Sequence, residues 1–127
     1  MERPQRHQKQ RKNARFMILV LANAATEVGS TPAEMLEMKK FNDILRERGM
    51  LQVAEGLTPT KEGFRLSFGF DSELNQSVQS VESGPFKETI SGYWIVKAES
   101  TEAVLEVASE IPFREGEVEV RRIAGNV

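Results

Sequence analysis

Apolar residues along this chain come in short blocks whose spacing changes from one block to the next. Residues 16–22, FMILVLA, are seven apolar residues in a row, bounded by polar segments, which predicts a strand covered on both faces. After a loop, NAATEVGS, Thr31 caps a helix, Pro32 fits its first position and Glu34 closes a capping box. Met35, Met38, Phe41, Ile44 and Leu45 then recur at three- and four-residue spacing, and Gly49 ends the helix. Residues 50–57, MLQVAEGL, read as a strand running into the turn Thr58-Pro59-Thr60. Phe64, Leu66 and Phe68 alternate with Arg65 and Ser67, the two-residue period of a half-buried strand. Val78 and Val81 belong to a weaker next strand, and their odd spacing permits a bulge.

Ser83-Gly84-Pro85-Phe86 breaks that strand, and Tyr93-Trp94-Ile95-Val96 begins a stronger one. Ser100 caps a second helix with Glu102 in its first turn, where the helix dipole favours an acid. Ala103, Val104, Val107, Ala108 and Ile111 form its apolar face and Pro112 stops it. Glu99, Glu102, Glu106 and Glu110 line the other side as a solvated stripe. Val118 and Val120 alternate with Glu119 and Arg121 in a last strand. The order is strand–helix–strand, a central pair of strands, then strand–helix–strand. Two helices with one apolar stripe each are satisfied by one face of a single antiparallel sheet, an α+β, ferredoxin-like arrangement. The opposite sheet face then carries apolar residues with nothing over them. A second copy packing sheet to sheet covers them, so a homodimer is expected.

Composition narrows the chemistry. The chain has 127 residues, no cysteine and one histidine, which excludes disulfides, thiolate metal sites and cysteine nucleophiles. No glycine-rich phosphate loop is present, and no cofactor or metal is expected. The longest apolar run is too short to cross a bilayer, so a cytoplasmic protein with no membrane contact is expected. Net charge is −2, but residues 1–15 carry Arg3, Arg6, Lys9, Arg11, Lys12 and Arg15 against Glu2, leaving the rest at −7. Residues 1–14 are read as a basic tail and 15–127 as one domain. The tail holds His7, lacks aromatic residues and precedes an acidic body, which argues against nucleic acid as the partner.

Several segments together resemble the YCII-related family, in its DGPF branch: ARFMILVLANAATE, FNDILRERGML, AEGLTPT, ESGPFKETISGYWIVKAES and GEVEVRRI, spanning about residues 14–123. The resemblance implies a ferredoxin-like domain that dimerises into an α/β barrel. It also implies a cleft in which a histidine and an aspartate have been taken as a catalytic pair, within a family that includes enzymes of aromatic catabolism. Here Thr58 stands in the histidine's place and Ser83 in the aspartate's. Two hydroxyls do not exchange protons near neutrality as an imidazole–carboxylate pair does.

Glu55, matching the acid of the family's GEGL segment, is the remaining acid/base candidate, with Thr58 and Ser83 as hydroxyl partners; buried in an apolar cleft, its pKa would rise. Its structural alternative is a carboxylate holding the following turn. Phe86, Tyr93 and Trp94 offer aromatic surface for a small organic ligand, against core packing as the ordinary fate of such rings. Two readings follow: a dimeric small-molecule-binding or interaction protein that lacks the His/Asp pair, or a cofactor-independent lyase or isomerase for a small aromatic or polyketide-like molecule.

Overall fold

The computed structural model describes residues 13–22 and 31–125. Most of the expected basic tail with its His7, and the loop NAATEVGS, lie outside the described residues. Among the described residues, six strands and two helices follow in the expected order. They are β1 (Ala14–Ala22), α1 (Pro32–Glu47), β2 (Leu51–Gly56), β3 (Phe64–Phe70), β4 (Gln76–Ser83), β5 (Thr89–Ala98), α2 (Thr101–Ala108) and β6 (Glu117–Arg122), with a 3-10 turn at Thr60–Glu62.

Four strands form one antiparallel sheet in the order β2-β5-β1-β6. Phe16, Ile18, Trp94, Val96 and Ala98 from its two central strands pack with Phe41 and Leu45 of α1 and Val104 and Val107 of α2. Both helices therefore cover the same face. Strict alternation in β5, with residues 94, 96 and 98 buried and 93, 95 and 97 half-buried, marks the two sides.

The expected single sheet is corrected in one respect. β3 and β4 leave it and pair only with each other, as a two-stranded hairpin. The half-burial expected of Phe64, Leu66 and Phe68 is corrected with it, since all three are exposed. Alternation reports a sided strand, and it does so whether or not the apolar side has anything to rest on. The bulge that the spacing permits is present: Ser67 pairs with Ser80 and Phe68 with Val78, leaving Gln79 unpaired, with its side chain beside Gly69. The hairpin closes at Asp71, whose Oδ1 accepts from the backbone N–H groups of Glu73 (2.8 Å) and Asn75 (2.9 Å).

The helix starts form as the residues dictate. Thr31 Oγ1 accepts from Glu34 N at 3.1 Å while Glu34 Oε1 accepts from Thr31 N at 2.9 Å. Ser100 Oγ accepts from Ala103 N at 3.1 Å. Gly49, at φ 71°, follows the last turn of α1 in the left-handed conformation. Thr31→Ala is expected to cost about 1 kcal/mol of unfolding free energy, and Thr31→Asn much less, measured by urea titration. Within α1 the apolar stripe is rotated from the expected one: Phe41 and Leu45 are buried, whereas Met35 is exposed. No described helix is long and apolar enough to cross a membrane.

Candidate functional site

A corner forms where the 3-10 turn, the base of the hairpin and the Gly84-Pro85-Phe86 turn meet the end of the sheet. Gly84 N donates to the Gly63 carbonyl at 3.0 Å, and Phe86 N donates to Thr60 Oγ1 at 3.0 Å. Gly84 sits so close to Thr60 that only a glycine fits: a Cβ there would lie 1.8 Å from the Thr60 carbonyl oxygen. Arg65 closes the corner from β3. Its Nη2 donates to the Glu88 carbonyl at 3.1 Å and its guanidinium lies 4.0 Å from the centre of the buried Phe86 ring.

These contacts bound a cavity of about 790 Å³. Leu21, Phe64, Phe86 and Ile90 give it apolar walls, and Arg65, Glu88, Glu117 and Glu119 give it charge. Glu119 is also paired with Arg121 at 3.1 Å. The carboxylates of Glu88 and Glu117 have no partner among the described residues. One guanidinium against three carboxylates leaves the cavity net negative. Among the described residues no group of histidine, cysteine, aspartate or glutamate side chains is arranged to hold a metal ion.

The sequence-derived candidates fall in different places. Phe86 lines the corner cavity. Ser83 ends β4 opposite Phe64, at the hairpin base, on the opposite face from Glu82. Thr58 is exposed in the segment after β2. Glu55 is exposed on β2 in the single chain, paired with Tyr93 on the sheet face away from the helices. Its carboxylate makes no hydrogen bond to the following turn. Glu55, Tyr93 and Trp94 border a smaller space of about 270 Å³ with Met38, Asn42 and Phe113. Trp94 is committed to the core. Its indole N–H donates to Asn42 Oδ1 at 2.7 Å and its ring stands edge-on to Phe41, centroids 5.6 Å apart. Among the described residues no hydrogen bond joins Glu55, Thr58 and Ser83, and Glu55 borders a different space from the corner cavity.

Arg65, Thr60, Ile90 and Glu117 are site residues that sequence reasoning did not single out. Arg65 was legible only as the polar partner in an alternating strand, and Glu117 only as one residue of the closing segment GEVEVRRI. A further groove of about 880 Å³ runs between α1 and residues 112–115. Its charged rim is largely engaged with itself: Lys39 Nζ donates to Asp43 Oδ2 at 3.0 Å and Arg46 Nη1 to Asp43 Oδ1 at 2.7 Å. The Lys39 hydrogen bond, foremost, holds the Asp43 carboxyl below its ordinary pKa.

An antiparallel sheet layered on two helices, with a cavity at the sheet end bounded by a Gly-Pro-Phe turn, defines an α+β domain. The family model for the YCII-related domain matches residues 14–125, and the chain belongs to that family. Comparison with curated proteins gives no match.

Proposed function

We propose that this chain is a homodimeric, ferredoxin-like small-molecule-binding protein of the DGPF branch, acting in the cytoplasm, whose ligand occupies the corner cavity. The observation that carries this reading is the cavity's wall: two aromatic and two aliphatic side chains face a rim of charge, the pattern of a site that holds an apolar body by its polar edge. The rim's excess of carboxylate favours a neutral hydroxylated or cationic aromatic molecule over an aromatic acid. The lyase or isomerase alternative asks Glu55, Thr58 and Ser83 to converge, and their separate placement gives it less support.

Capture of metabolites from cell extract on the purified protein, followed by mass spectrometry, identifies the ligand class. Calorimetry on matched aromatic amines, phenols and acids then ranks the charge preference. The amine is expected to bind about tenfold more tightly than the isosteric acid at low ionic strength, a margin that narrows with salt. Arg65→Met removes the bond to Glu88 and the stack on Phe86, and is expected to weaken binding about fivefold, roughly 1 kcal/mol. Absence of binding across the series at millimolar concentration, or a preference for the acid, would overturn the reading.

A further inference from the structure

The β3–β4 hairpin is amphipathic, and among the described residues no element packs substantially against its apolar side. Register places Phe64, Leu66, Phe68 and Phe70 of β3 opposite Ser83, Val81, Val78 and Gln76 of β4. Because Gln79 is extruded as a bulge, Val78 and Val81 land on the same face as the four β3 residues despite their odd spacing. Arg65, Ser67 and Gly69 lie on the other face with Glu82, Ser80 and Ser77. The six apolar side chains are between 49% and 69% exposed. The hairpin is tied to its own domain at its base, by Gly84 to Gly63, Phe86 to Thr60 and Arg65 to Glu88, and has no substantial packing against other elements further out. A two-stranded hairpin is marginal alone in water, and one with a continuous apolar face needs a cover.

The described residues carry a second apolar surface, half-buried and on the side of the sheet away from both described helices. On the sheet face away from the helices, Met17, Leu19 and Leu21 of β1 lie beside Tyr93 and Ile95 of β5 and Val53 of β2. Glu117, Glu119 and Arg121 border this stripe along β6, and Glu55 along β2. An apolar centre with a charged border is the anatomy of an interface. The corner cavity joins the two surfaces, taking Leu21 and Ile90 from the sheet and Phe64 from the hairpin.

We infer that in the homodimer each hairpin lies with its apolar face across the partner's outer sheet face, so that the partner's hairpin becomes a wall of the corner cavity. This rests on the dimer proposed above and goes beyond it, since sheets packing directly on sheets would leave both hairpins bare. The two surfaces suit each other in kind, and a twofold axis exchanges them without remainder. Each hairpin offers on the order of 500 Å² of apolar side chain; with the sheet area it covers, the two symmetric halves total about 2,000 Å², the size of a stable interface. The polar face of the hairpin stays in water. A ligand site closed by the partner is complete only in the dimer.

The chain's lack of cysteine makes the test direct. Phe68→Cys and Leu19→Cys chains, separately tagged and coexpressed, are oxidised, and the disulfide-linked species are assigned by mass spectrometry. A Phe68→Cys chain linked to a Leu19→Cys chain as the dominant product is the expected result. A stable dimer whose dominant link joins two Leu19→Cys chains, or two Phe68→Cys chains, overturns the hairpin exchange and keeps the dimer. A chain that sediments as a monomer at 100 µM overturns both. A chain carrying both substitutions that closes its link within a monomer shows the hairpin folding back on its own sheet, and also overturns the inference. As an independent reading, Leu66→Ser with Phe68→Ser is expected to raise the dimer dissociation constant at least 100-fold with an unchanged far-UV spectrum, whereas Leu36→Ser on the exposed side of α1 leaves it unchanged.

Discussion

Leu45→Ala is expected to lower the unfolding free energy by about 3 kcal/mol, within the range for truncating a fully buried leucine. Leu45 is wholly removed from solvent and belongs to the core that joins α1 to β1, β5 and α2. Truncation loses the transfer free energy of three carbons and leaves a cavity among neighbours held by four different elements, which limits their collapse. The measurement is a urea titration at fixed protein concentration, since a dimer's stability depends on concentration. The midpoint should fall with the slope unchanged. Leu36→Ala on the same helix is the control: Leu36 is 53% exposed, so its loss should cost less than about 1 kcal/mol. Equal costs at the two positions would mean that α1 presents a different face to the sheet.

Gly84→Ala should be the most damaging single-methyl change at the candidate site. The added Cβ meets the backbone of Thr60, with its carbonyl oxygen 1.8 Å and its carbonyl carbon 2.6 Å away, and no rotamer relieves a clash between main chains. The Gly-Pro-Phe turn and the 3-10 turn must separate. That lengthens the Phe86–Thr60 bond and moves the ring that Arg65 stacks on. A cost of about 2–4 kcal/mol is expected, at or beyond the usual overpacking range because backbone must yield. Ligand affinity should fall with it, as Phe86 is a wall of the cavity. Gly56→Ala supplies the contrast, since a Cβ there meets nothing within 4 Å and the change should stay within about 0.5 kcal/mol. If Gly84→Ala proved equally harmless, the two turns would not be in contact and the corner would not exist as described.

The family pattern frames the chemistry without supplying it. The resemblance to the DGPF branch puts Thr58 and Ser83 where a proton-exchanging pair is expected, and two hydroxyls alone do not exchange protons near neutrality. A cavity with an aromatic wall and a negative rim is suited to holding a molecule, which is why binding takes precedence over turnover in the proposed function.

What the chain alone determined is everything that short-range physics writes into consecutive residues. Thr31 with Glu34 and Ser100 with Glu102 start the helices, because capping needs only three or four residues. Alternation in Phe64–Phe68 announced a sided strand, and the odd spacing of Val78 and Val81 permitted a bulge in the next, because a strand's period is local. The order of six strands and two helices follows from these signals. Tertiary structure decided what each side faces. The Phe64–Phe70 side reads as half-buried until the hairpin is seen to leave the sheet. The partner of the Trp94 indole N–H, Asn42, lies 52 residues away and is not signalled by any local spacing. The corner cavity joins Thr60 to Phe86 and Arg65 to Glu88 across 26 and 23 residues, and borrows Leu21 and Glu117 from opposite ends of the domain. Contacts of that span leave no period in the sequence, since they depend on the path of the backbone and not on the spacing of neighbours.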